Sequence, residues 1–186
     1  MKALALVALL VYPASSFAGS SWQYVTSEAT ESYSIDYKTD RGQNAPEPAG
    51  FSLVREGEET VAKVYYLDAS ALNSYSYGCH LHGDHAHCHQ EGKAEHGSYA
   101  RLSSKYNAAE MAKAIEASLD IFVRKVAPES AIQSMKIWEA EEMIRFSIAY
   151  EKSGPKQEFL ACHYHSGTEM DCHRKGNAGP GEPDKN

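Results

Sequence analysis

Apolar residues recur along this chain at two periods, and the change of period divides it into elements. Met111, Ile115, Leu119, Phe122 and Val126 follow one another at steps of four, four, three and four, the spacing that lines up one stripe of an α-helix. This predicts a helix over Ala108–Val126. Asn107 serves as its N-cap with Glu110 three residues on, a variant of the capping box, and Pro128 stands beyond its end. The stripe reads as core, not as a cofactor site. Elsewhere the period falls to two. Ile144, Phe146, Ile148 and Tyr150 alternate with polar or small residues, as in a strand with one face buried and one wet. Strands are predicted at Phe51–Arg55, Thr60–Leu67 and Tyr75–His82, then at Ile132–Trp138, Met143–Tyr150 and Glu158–His165. Trp22–Thr26 and Tyr33–Tyr37 read as further edge strands. Asp40–Gly50, with two prolines and two glycines, reads as a loop. The class is α+β: an antiparallel sheet from a duplicated β-unit, with one long helix packed on it.

The first residues interrupt this picture. Met1-Lys2, the apolar run Ala3–Tyr12, and small residues at Ser16 and Ala18 have the order of a secretory signal peptide cut before Gly19. Residues 1–18 are therefore expected to leave the mature protein. The apolar run is about half the roughly 20 residues that a membrane span needs. No later run approaches that length, so no membrane insertion is expected, and no cysteine at the cut offers a lipid anchor. Residues 19–175 form one expected domain. Residues 176–186, with Gly179-Pro180-Gly181-Glu182-Pro183, form an expected disordered tail. Acidic residues outnumber basic ones, 25 to 18, with no Lys/Arg block, which argues against nucleic acid or an anionic membrane as partner. Apolar residues make up 42% of the chain, enough for a core. The reading is an exported protein, periplasmic or secreted.

The candidate chemistry lies in two matched segments. Cys79-His80-Leu81-His82-Gly83 closes with Cys88-His89, and Cys162-His163-Tyr164-His165-Ser166-Gly167 closes with Cys172-His173. Both are CHxH, a glycine turn and a final CH, the second with one extra residue. Extended upstream at an offset of 83, Glu56, Glu58 and Glu59 fall on Glu139, Glu141 and Glu142, and Val54 and Val61 on Ile137 and Ile144. These acids read as polar turns. The match suggests an internal repeat, about 51–89 and 132–173.

Residues two apart on a strand share a face, so His80 and His82 form one pair and His163 and His165 another, with the cysteines on the opposite side. Two imidazoles at this spacing suit zinc or copper, at metal–nitrogen bonds of about 2 Å. The glycine turn brings His87, Cys88 and His89, or Cys172 and His173, back alongside, and His85 adds a further imidazole. An even cysteine count in an exported chain reads first as disulfides, with Cys79–Cys88 and Cys162–Cys172 preferred for their short matched spacing. Each closes a small loop worth roughly 2–3 kcal/mol. Thiolate ligation is the alternative. Asp84, Glu169 and Asp171 read as turn formers or supports.

Several chemistries are excluded by pattern. The chain has no C-x-x-C-H haem attachment, no C-x-x-C redox pair, no H-E-x-x-H, no G-x-S-x-G and no P-loop. The leading expectation is a metal-binding protein that captures, sequesters or delivers zinc or copper through His80, His82, His163, His165, His87, His89 and His173. The second is a disulfide-braced module that binds another protein without metal; the third is a metal-dependent hydrolase. If the two CHxH strands lie together at the centre of the sheet, His80, His82, His163 and His165 complete one tetrahedral site. If they stand apart, each hairpin must bind alone.

Overall fold

The computed structural model describes residues 21–69, 71–83, 85–98, 102–103, 105–164 and 169–175. The expected signal peptide (1–18), the expected tail (176–186) and His165 lie outside the described residues. The chain runs α1 (Ser21–Arg41), β1 (Pro48–Glu56), β2 (Glu59–Asp68), β3 (Ala71–His82) and β4 (His85–Ser98). It continues through α2 (Ala108–Lys125), a 3₁₀ turn (Glu129–Ala131), β5 (Ile132–Ala140), β6 (Met143–Glu151), β7 (Pro155–Tyr164) and β8 (Met170–Lys175). Helix then four-stranded meander thus occurs twice.

The α+β class holds, but the described residues contain two helices where one was expected. α2 follows the apolar stripe: Met111, Ile115, Leu119 and Phe122 are buried. The Asn107 side chain accepts from the Glu110 N–H at 2.9 Å, and the Glu110 carboxylate accepts from the Asn107 N–H at 2.8 Å. α1 corrects the reading of Trp22–Thr26 and Tyr33–Tyr37 as strands. Its buried residues are Trp22, Val25, Thr26, Ala29, Tyr33 and Tyr37, which is helical spacing filled by residues that favour strands. Burying that stripe outweighs local β-preference. The helix extends to Arg41 and β1 begins at Pro48, so the expected Asp40–Gly50 loop is shorter than read.

All eight strands form one antiparallel sheet in the order β4-β3-β2-β1-β5-β6-β7-β8. Two meanders meet at its centre, where β1 pairs with β5 from Gly50↔Trp138 to Val54↔Ser134. α1 lies on the first meander and α2 on the second. Between helices and sheet sits the main core, with Phe51, Leu53, Val64, Ile137, Phe146 and Ile148 from the strands. The other face carries a smaller cluster: Tyr65, Leu72, Leu102, Trp138 and Ala140.

The register sets the two meanders against each other at an offset different from the 83 expected from the sequence. Glu56↔Glu59 and Ala140↔Met143 close the first hairpin of each meander, so β1 and β2 superimpose on β5 and β6 at an offset of 84. Thr60↔Cys79 and Ile144↔Cys162 return β3 and β7 to 83. A slip of one residue turns every side chain to the other face. That is why exposed Val54 answers Trp138 rather than core Ile137. Glu139 is also no turn residue. It is fully buried, while Glu141 and Glu142 form the turn itself, both at positive φ.

Candidate functional site

The two Cys/His segments are β-hairpins, β3–β4 and β7–β8. Cys79 faces Cys88 and Cys162 faces Cys172 directly across each ladder, and both pairs are disulfides. Their Cα atoms stand 4.1 and 4.0 Å apart, the close approach of a non-hydrogen-bonded pair. The sulfurs point into the core beneath the helices; the Sγ atoms of Cys162 and Cys172 lie 3.8 and 3.9 Å from the Ala114 carbonyl of α2. With all four cysteines bridged, thiolate ligation is absent here.

Alternation then sends the neighbouring histidines to the opposite, open face. On β3–β4 the pairs are His80↔His87 and His82↔His85, with His89 opposite Gly78. Five imidazoles therefore form one continuous ladder. Ring centres lie 4.9 Å apart for His80–His82, 5.8 Å for His80–His87, 5.6 Å for His80–His89, 5.7 Å for His82–His85 and 4.7 Å for His87–His89. His80 is half-buried and the other four are exposed. His96, farther along β4, is separate: its Nε2 meets the Ser74 hydroxyl at 2.8 Å.

The hairpin is held from its other face. Tyr75 and Tyr77 of β3 pack beneath α1, and the Tyr75 hydroxyl donates to Asp40 at 2.7 Å. Tyr77 donates to Asp36 at 3.2 Å. Tyr33 and Tyr66 join Tyr75, with ring centres 5.4–5.8 Å apart. Burial, reinforced by Asp36 or Asp40, pushes the Tyr77 and Tyr75 hydroxyls well above their ordinary range, so both remain donors. Lys93 of β4 also reaches Asp40. That hydrogen bond first, and the one from Tyr75 second, hold the Asp40 carboxyl below the usual carboxylate range.

The second hairpin is sparser. His163 and His173 lie diagonally, ring centres 5.3 Å apart. Asp171 takes the place opposite His163, with its carboxylate 3.3 Å from His173 Nε2. A cleft of about 520 Å³ beside it is lined by Lys105, Tyr106, Glu110, Glu142, His163 and Tyr164 among others.

Strand order settles whether the two hairpins share a site. β3 and β7 are five strand spacings apart, roughly 24 Å at about 4.8 Å each. Because β1 and β5 are antiparallel, the hairpins also project from opposite ends of the sheet. Among the described residues, His80 and His82 therefore cannot meet His163 in one tetrahedral site. Within the described residues, no three His, Cys, Asp or Glu side chains converge tightly enough to hold a metal as they stand.

No family profile and no curated protein sequence matches this chain. One solved structure is similar in shape, a protein of Clostridium difficile 630 with a provisional lipoprotein designation. It has 9% sequence identity and a TM-score of 0.45, covering 78% of this chain and 91% of that one. No helix in the described residues is long and apolar enough to cross a membrane.

Sequence reasoning placed His80, His82, His87 and His89 on one hairpin, where they do come together. It did not single out Glu91. That residue is the extra one in a bulge, since Ser76 pairs with Gly92 and Tyr77 with Gln90. The signal was present: a glycine inside a strand, here Gly92, often marks a bulge.

Proposed function

We propose that this chain is an exported binding protein for a divalent transition metal, zinc or copper, and that the β3–β4 hairpin carries the capture site. The observation that supports this is the ladder of five neighbouring imidazoles on one face of a disulfide-stapled hairpin. Two imidazoles sharing a metal at bonds of about 2.0–2.1 Å bring their ring centres roughly 5 Å apart. The ladder's spacings of 4.7–5.8 Å are close to that before any metal arrives. Exposed rings reorient on the picosecond-to-nanosecond scale, so convergence needs side-chain rotation and leaves the strands in place.

The disulfides fit an oxidising compartment, periplasmic or extracellular. They also favour imidazole over sulfur as the ligand. His163 and His173 form a second, weaker site with two imidazoles and Asp171. The matched order of helix and four strands in each half supports an ancient duplication.

Calorimetric titration of tag-free, metal-stripped protein with zinc, then copper, tests this reading. One tight event is expected, abolished by the His80→Ala/His87→Ala pair and retained in His163→Ala/His173→Ala. Protons compete with metal for imidazole nitrogens, so affinity should fall steeply from about pH 7 to pH 5. Wild-type protein that binds neither metal would overturn the reading in favour of a module that docks another protein.

A further inference from the structure

We infer that the metal on the β3–β4 hairpin is held by a mixed set, the imidazoles of His80, His87 and His89 with the carboxylate of Glu91. This rests on the metal-binding reading above and specifies its ligands. Three of the five rings form a closed triangle, with centres 5.8 Å (His80–His87), 5.6 Å (His80–His89) and 4.7 Å (His87–His89) apart. His82 and His85 extend from one corner of it towards the hairpin tip.

Two local departures from a regular ladder bring Glu91 to the face that carries this triangle. The bulge between Ser76 and Tyr77 gives β4 one residue more than β3, and Glu91 is that residue. Its side chain then lies over Gly78, the residue opposite His89 and two before His80. A Cβ on Gly78 would stand 2.7 Å from Glu91 Oε1 and 3.2 Å from its Cδ. That Cβ would point to the open face, the face of His80 and His82. Glycine at 78 therefore leaves the space in which the carboxylate rests beside the imidazoles.

The second half supplies an internal comparison. Its register matches Gly78↔His89, Cys79↔Cys88 and His80↔His87 with Ala161↔His173, Cys162↔Cys172 and His163↔Asp171. There the glycine is alanine, one histidine is aspartate, and β8 pairs without a bulge, so Glu91 has no counterpart. The bulge, the glycine and the third imidazole all occur in the hairpin with the full ladder. Three nitrogens and one anionic oxygen make a four-ligand set suited to Zn²⁺ or Cu²⁺ rather than Cu⁺, which prefers sulfur.

The test is competition of Zn²⁺ against a chromogenic chelator, on the full chain with its disulfides intact. Glu91→Gln keeps size and polarity at an exposed position, and should weaken the tight zinc event about tenfold or more. Gly78→Ala should weaken it similarly, with circular dichroism confirming that the sheet is formed. Glu95→Gln, at an exposed carboxylate farther along β4, should leave it within about threefold of wild type. Zinc affinity unchanged in Glu91→Gln would overturn the mixed ligand set while the histidine reading stands. A wild-type protein that binds neither zinc nor copper would overturn both. Glu91→Gln decides the matter even if Gly78→Ala fails to fold.

Discussion

The backbone N–H of Tyr106 donates to Glu139 Oε2 at 2.8 Å, and the carboxylate that receives it is fully buried. Ser103 donates its hydroxyl to the other oxygen, Oε1. The Tyr106 hydroxyl in turn donates to the Glu142 carbonyl at 2.7 Å. Glu139 thereby ties the segment before α2 to the end of β5, next to Leu102, which packs in the smaller cluster with Trp138 and Ala140. Glu139→Ala should lower stability by about 2–3 kcal/mol, because it strands a buried N–H as well as deleting two hydrogen bonds. Glu139→Gln should cost less. Urea unfolding followed by tryptophan fluorescence reads both.

Gly50 sits where β1 meets β5, and a Cβ there would stand 2.4 Å from the Ile137 carbonyl oxygen and 3.1 Å from Trp138 Cα. Both neighbours are backbone, so neither can rotate aside. Gly50→Ala should destabilise by about 1–3 kcal/mol through strain at the central pairing, seen as a lower thermal midpoint. An equal midpoint would mean that the strands part at little cost.

Peptide mapping of unreduced protein should recover Cys79 linked to Cys88 and Cys162 linked to Cys172, with no peptide joining the halves. Replacing either pair with serine should cost roughly 2–3 kcal/mol, the closure entropy of a loop of about ten residues. The β3–β4 pair matters more for function. Without it, zinc affinity should fall along with stability, since the histidines flank both cysteines.

Asp40 gives stability a dependence on acid. Its folded carboxyl titrates below the usual carboxylate range because Lys93 and Tyr75 bond its charged form. A depressed folded value stabilises the native state above the unfolded value, near pH 4, and that contribution disappears as pH falls through the folded value. Asp40→Asn should therefore reduce stability at pH 7 and flatten the decline between about pH 5 and pH 2. Urea midpoints measured across that range test the sign. A decline as steep as wild type would assign the acid sensitivity to other carboxylates.

What the sequence disclosed depended on contrast. α2 was legible to its cap because its apolar stripe stands against charged neighbours. The six inner strands were legible because Val, Ile, Tyr and Phe are concentrated in them, although β1 and β6 are buried on both faces rather than alternately. Of the outer strands only the returning Cys/His residues were foreseen, His87, Cys88 and His89 in β4 and Cys172 and His173 in β8; Gln90–Ser98 and the rest of β8 were not. Edge strands bury little, so nothing polar is excluded from them. α1 was misread for the opposite reason: its Trp, Val, Thr and Tyr residues favour strands, and the helical spacing of their burial was the stronger signal. Pairing of the cysteines followed from spacing and compartment. Whether the two hairpins meet depended on strand order, which no local pattern encodes. Glu139 read as a turn acid until register moved the turn one residue on.

Every strand pairing but one joins neighbours in sequence. A growing chain can therefore zip β1 through β4 under α1 at small loop-closure cost. The exception is β1 with β5, where Leu53 must find Met135 across the whole intervening half. Folding should accordingly run in two local bursts, followed by one long-range docking that creates the central seam. Until then β1 has an open edge, and an unpaired edge recruits strands from other molecules as readily as its own. The interval between making the first half and completing the second is thus the protein's most vulnerable moment, and the speed of that single docking sets the yield.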